Sequence, residues 1–133
     1  PENHDLMVRL RQEKVDTISK TIPKIKPYGG KSGDLLILGW GGTFGAIRSA
    51  TRKALDLNLS VAHLHLRYLN PLNDELLQIL NNYKKVLIPE LNLGQLNSLI
   101  RSKFLIDTIA LNKVSGQPYT SSEILDKVKE VLN

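Results

Sequence analysis

Short apolar runs alternate with amphipathic stretches along most of the chain. Asp34-Leu35-Leu36-Ile37-Leu38 is a continuous apolar run, the pattern of a strand buried on both faces. Three more strands are predicted at Ser60–Leu66, Lys85–Pro89 and Leu105–Leu111. Between them, apolar residues recur every three to four positions, the spacing of one helix face. The predicted helices span Phe44 to about Leu57 (Ile47, Ala50, Ala54 inward), Asp74–Asn82 with Asn73 as N-cap, and Gly94–Lys103 (Leu96, Leu99, Ile100). A last helix starts at Thr120, where Thr120 and Glu123 have capping-box spacing, and buries Ile124, Val128 and Val131. Strands alternating with helices imply βαβ crossovers. The expected fold is therefore α/β: three layers, with a mostly parallel open sheet of about four to five strands and helices on both faces.

The first third is patterned differently. His4 to about Ile22 reads as a helix with a sparse stripe at Val8, Val15, Ile18 and Ile22, followed by Pro23, Pro27, Gly29, Gly30 and Gly33, a linker signature. Residues 1–33 are expected to form an arm and linker from a preceding domain, and residues 34–133 the globular unit. The polar opening at Pro1 reads as the interior of a longer polypeptide.

Composition narrows the chemistry. A chain of 133 residues with 41% hydrophobic residues can bury a core. No apolar run approaches the ~20 residues needed to cross a bilayer, so no membrane partner and a cytoplasmic location are expected. Cysteine is absent, which removes disulfides, thiolate nucleophiles and iron–sulfur ligation from this chain. The net charge of +5 is spread along the chain and aromatic content is 5%. A nucleic-acid surface would cluster its charge and interleave aromatics, so no nucleic-acid partner is expected.

The residues at strand ends are the candidates for function. Gly39-Trp40-Gly41-Gly42-Thr43-Phe44-Gly45 follows the first strand, where open α/β sheets bind ligands. Gly39, Gly41 and Gly42 are candidates for a loop whose amides cradle an anion. Equally, they can be a tight turn that lets the helix pack closely. Phe44 stands where a dinucleotide fingerprint needs its third glycine, and Arg67 rather than an acid follows the second strand. His63 and His65 share one strand face, either half a metal site or ordinary hydrogen-bonded histidines. Arg67 can clamp an anion or fix its loop. Glu90 can serve as acid or base, or as a cap or partner contact.

Three stretches carry a family likeness: DLLILGWGGTFG at 34–45, HLRYLNPL at 65–72 and VLIPELNLGQL at 86–96. In order and at these separations, they resemble the C-terminal domain of the alpha subunit of 2-oxoacid:ferredoxin oxidoreductases, most like the 2-oxoglutarate type. Glu2-Asn3-His4, Met7 and Arg9 resemble the segment that precedes it. The arginine–proline element resembles the wider transketolase C-terminal domain group. The resemblance implies a domain of a thiamine-dependent complex that oxidatively decarboxylates a 2-oxoacid to an acyl-CoA. Thiamine diphosphate, Mg and iron–sulfur clusters would lie on other domains or subunits, with none on this segment. The implied partners are the rest of the alpha subunit, a beta subunit, CoA, the 2-oxoacid and ferredoxin. No residue here is expected to be catalytic. Thr43, Arg67, Asn70, Glu90, Asn92 and Gln95 are the expected contacts with substrate or partner. A free-standing nucleotide-binding module built on the 39–45 loop is the alternative.

Overall fold

A computed structural model of the chain describes residues 24–133; the helix expected over His4–Ile22 lies outside the described residues. Four strands form one parallel sheet: β1 (Gly33–Trp40), β2 (Val61–Leu66), β3 (Tyr83–Glu90) and β4 (Ile109–Asn112), in the order β2-β1-β3-β4. Helix α1 (Phe44–Asp56) joins β1 to β2 and α2 (Leu76–Leu80) joins β2 to β3. Helix α3 (Gln95–Phe104) joins β3 to β4, and α4 (Ser121–Leu132) closes the chain.

Side chains alternate across a strand, so the continuous apolar runs feed two cores at once. Leu36, Leu38, Leu64 and Ile88 pack with Leu76 and Leu80 of α2 and with Leu96 and Ile100 of α3. Leu35, Ile37 and Leu87 pack on the other face with Ile47, Ala50 and Ala54 of α1 and with Ile124 and Val128 of α4. Each fully buried leucine or isoleucine contributes roughly 1.5–3 kcal/mol relative to exposure. The helices therefore cover both faces of the sheet, as the alternating pattern predicts.

Boundaries differ from the sequence reading where local geometry overrides pattern. Leu105 and Ile106, read as strand, instead close α3: Leu105 adopts φ 55° as its C-cap. β4 begins only at Ile109 and is half-buried on one face. Helix α2 is a single short turn; the Asn73 side chain accepts from the Glu75 amide (2.8 Å) ahead of it. The capping box on α4 is present: Glu123 N–H donates to Thr120 Oγ1 (3.2 Å) and Thr120 N–H to Glu123 Oε1 (3.0 Å).

Tyr28 pairs antiparallel with His63 through two backbone hydrogen bonds of 2.8 Å, an isolated bridge at one point of the outer edge of β2. Tyr83 Oη donates to the Gly30 carbonyl (2.7 Å).

Gly39 stands inside β1. A Cβ there would lie 2.5 Å from Ile47 Cδ1 and 3.2 Å from Thr43 Oγ1, so Gly39 sets how closely α1 approaches the sheet. Gly39→Ala should destabilise the domain by about 1–3 kcal/mol through overpacking. Urea unfolding checks this, and an unchanged midpoint would show that α1 can retreat without penalty.

Candidate functional site

The chain leaves β1 toward β2 on one side and returns to β3 on the other, so the strand order switches between β1 and β3. The crevice at the carboxyl ends of these two strands is the ligand position of open α/β sheets. Here it is a cavity of about 210 Å³ lined by Trp40, Gly41, Gly42, Thr43, Glu90 and Asn92, with Leu91 beside them.

Its two walls are built differently. On the β1 side, Gly41 holds φ +63°, a left-handed turn that glycine adopts without strain. Added Cβ atoms at Gly41, Gly42 and Gly45 would meet nothing within 4 Å. Of the three glycines proposed for the loop, Gly39 is therefore the packing residue, Gly41 the turn and Gly42 the open one. Thr43 is buried, and its hydroxyl donates to the Trp40 carbonyl (3.0 Å), closing the short 3-10 turn Gly41–Thr43.

On the β3 side the chain supplies its own anion. Glu90 is 1% exposed. Its carboxylate accepts from Leu96 N–H (2.6 Å), Asn97 N–H (3.0 Å) and Trp40 Nε1 (2.9 Å). Asn92 Oδ1 accepts from the Gly94 and Gln95 amides at 2.7 and 3.0 Å. The amides of the first turn of α3, which would otherwise be orphaned and would attract an external anion, are thus closed internally. A carboxylate at a helix amino end also gains from the helix dipole. The structure turns Glu90 inward; Gln95, its neighbour in the expected contact set, is exposed on the rim.

The second group lies at the end of β2. His63 and His65 face α1, with the Phe44 ring 5.3 and 5.1 Å from theirs. Arg48 Nε donates to His63 Nδ1 (3.1 Å), which places the His63 proton on Nε2. Burial, then the neighbouring Arg48 and His65, push His63 down to about 3, and burial with Arg67 and Arg48 lowers His65. Both imidazoles are neutral near pH 7. His63 Nε2 and His65 Nδ1 are buried with no hydrogen-bond partner among the described residues. Among the described residues no three His, Cys, Asp or Glu side chains gather to hold a metal. Arg67 and Asn70 are exposed in the turn after β2, and Asn70 precedes the cis-Pro71. The sequence reading passed over Arg48 and Trp40, because each acts through a contact that only the fold creates.

This architecture is the transketolase C-terminal type. A split-gene transketolase, solved as an inactive beta4 tetramer, superposes with a TM-score of 0.61 at 19% identity, over 80% of this chain and 41% of that one. The 2-oxoglutarate:ferredoxin oxidoreductase of Magnetococcus marinus, solved with 2-oxoglutarate, coenzyme A and succinyl-CoA bound, superposes with a TM-score of 0.92 at 30% identity. That match covers all of this chain and 24% of the other. The 2-oxoglutarate oxidoreductase subunit KorA of Mycobacterium tuberculosis is 46% identical over 127 residues, 93% of this chain and 19% of that subunit. The 2-oxoglutarate synthase subunit KorA of Methanocaldococcus jannaschii is 29% identical over 128 residues, 93% of this chain and 34% of that subunit. No family model matches. The chain is a homologue of the alpha subunits of 2-oxoacid:ferredoxin oxidoreductases and spans between a fifth and a third of the length of these two subunits.

Two outcomes follow from the geometry. Glu90→Gln replaces an acceptor oxygen with an NH₂ group facing α3 amides, and should destabilise by about 1–3 kcal/mol; urea unfolding with an unchanged slope checks it. His63 keeps a folded pKa near 3 against 6.5 unfolded, so only the unfolded chain takes up a proton as pH falls through 6.5. Stability contributed by the neutral ring is complete above that pH and is lost progressively below it. Between pH 7.5 and 5 the loss should be about 2 kcal/mol, and His63→Gln should flatten it. Parallel wild-type and variant slopes would refute the assignment.

Proposed function

We propose that this chain is the C-terminal domain of the alpha subunit of a 2-oxoglutarate:ferredoxin oxidoreductase. Its role is to support subunit assembly and shape the surroundings of the active site in thiamine-dependent oxidative decarboxylation to an acyl-CoA. Beside the similarity to alpha subunits, the observation that carries the assembly role is the exposed apolar pair just past β3: Leu91, in the crevice wall, and Leu93 are 40% and 85% exposed. Exposed apolar side chains of this size favour burial against another protein surface. Residues 1–33 would be the arm that joins this domain to the one before it.

The redox and carbanion chemistry would belong to thiamine diphosphate, Mg and iron–sulfur clusters held by other domains or subunits. The residues here do not fit those groups: the chain has no cysteine, and its crevice carboxylate is committed to α3. No catalytic step is assigned to this chain. Asn92 and Glu90 shape the β3 wall, Thr43 fixes the turn opposite, and Gln95 with Leu93 meets the neighbouring subunit. Arg67 and Asn70 face substrate or the adjoining domain. Within the complex, ferredoxin would take the electrons and CoA the acyl group. No described helix is long and apolar enough to cross a membrane.

Leu93→Asp in the full-length alpha subunit, co-expressed with its beta subunit, should weaken association at least about tenfold, or ~1.4 kcal/mol. Analytical ultracentrifugation reads the association, and an unchanged melt of the isolated subunit excludes misfolding. Arg67→Ala should lower 2-oxoglutarate-dependent ferredoxin reduction or complex recovery. Normal association of the first variant, with normal turnover and recovery of the second, would remove the assembly and contact roles together.

A further inference from the structure

The described chain runs onto the sheet at the outer edge of β2, and contacts of three kinds hold it there. The first is main chain: Tyr28 exchanges two backbone hydrogen bonds of 2.8 Å with His63. Gly29, next to it, holds φ +104°, and a Cβ there would lie 2.8 Å from the Val61 carbonyl oxygen, so glycine is what lets the two backbones come this close. The second is the Tyr83 hydroxyl, which donates to the Gly30 carbonyl (2.7 Å). The third is Arg48, on α1. Its guanidinium lies 4.1 Å from the Tyr28 ring centroid, and its Nε donates to His63 Nδ1 (3.1 Å). One side chain thus grips both members of the Tyr28–His63 bridge.

The same guanidinium also reaches the element that walls the crevice. It lies 4.8 Å from the Phe44 ring centroid, and that ring packs against His63 and His65 at 5.3 and 5.1 Å. Phe44 is at once the first residue of α1 and the C-cap of the 3-10 turn Gly41–Thr43. Thr43, beside it in the chain, is the buried residue whose hydroxyl donates to the Trp40 carbonyl. Tyr28, Arg48, Phe44, Thr43 and Trp40 therefore form an unbroken series from the edge of the sheet to its central crevice. A stacked guanidinium is held by each ring it covers, so the loss of Tyr28 also loosens Arg48 from Phe44.

We infer that Arg48 is a latch: it seats the strap Tyr28–Gly30 on β2 and couples that seat to the turn that walls the crevice. The two states are the strap seated and the strap lifted, and Arg48 joins Tyr28 to Phe44 only in the first. A pull on the polypeptide ahead of the strap reaches the crevice by loosening Phe44 and the turn it caps. Anything in the crevice that fixes the turn holds the strap down in return, since coupling between two sites is reciprocal. Arg48 is in this sense a positioning residue. None of these contacts involves Leu91 or Leu93, so the latch does not depend on the assembly role of that pair.

Hydrogen–deuterium exchange of the full-length polypeptide tests both halves. Arg48→Met keeps an apolar stem, and should speed exchange of the Tyr28 amide at least about tenfold. Tyr28→Leu changes no residue of α1, yet should speed exchange over residues 47–49, whose amides close the first turn of that helix, at least about fivefold. Arg52→Met removes the same charge one turn further along α1, at an exposed position, and should leave both segments within about twofold. Exchange over α3, on the opposite face of the sheet, reports global opening and should not change. An unchanged Tyr28 amide in Arg48→Met, or equal loosening by Arg52→Met, overturns the latch. A strap that loosens in Tyr28→Leu while residues 47–49 keep their wild-type rate overturns the coupling. Should Arg48→Met also speed α3, the milder Arg48→Lys, which keeps the charge and loses the planar fork, decides by the same two rates.

Discussion

The Glu90 side chain ties β3 to the end of β1 and to the start of α3. Its carboxylate is buried, yet it is held by two amides of α3 and by the indole of Trp40 at the end of β1. An unpaired carboxylate at this depth would be strongly unfavourable; with charge-assisted bonds and the amino end of a helix around it, it becomes a fastener. Its main chain contributes as well. The Glu90 carbonyl accepts from Lys113 N–H (2.9 Å), and the Tyr119 hydroxyl, bonded to the Leu111 carbonyl at 2.8 Å, lies 3.2 Å away. One residue thereby fixes the two central strands, the start of α3 and the approach to α4.

This fastening divides the strand-end surface by electrostatics. Around β3 the chain satisfies its own helix amides and leaves an apolar rim. Around β2 the described residues gather cations and neutral imidazoles instead. Both surfaces lie at the same end of the sheet, and Phe44 packs there against the His63 and His65 rings and the Arg48 guanidinium.

Much of the layered fold was legible because it rests on patterns longer than any one contact. The runs at Leu35–Leu38 and Val86–Ile88 are buried on both faces and read as central strands without ambiguity. The Thr120–Glu123 capping box is local and was equally plain. What failed to read was set by tertiary geometry. Leu105 and Ile106 have the composition of a strand, but Leu105 terminates a helix with a positive φ. Gly39 reads as loop, whereas its lack of a side chain serves the packing of Ile47. That the candidate residues stand at strand ends was visible; the inward turn of Glu90 was not, because its partners are an indole fifty residues earlier and amides six and seven residues later.

Trp40 is the single tryptophan of the chain, and it stands half-buried at the mouth of the crevice with its ring nitrogen on a carboxylate. An indole in that setting is sensitive to the field and the hydration on its open side. The chain consequently carries a built-in optical probe at the place where its two central strands end. Its emission colour registers whether water or a neighbouring surface fills the crevice, with no label added.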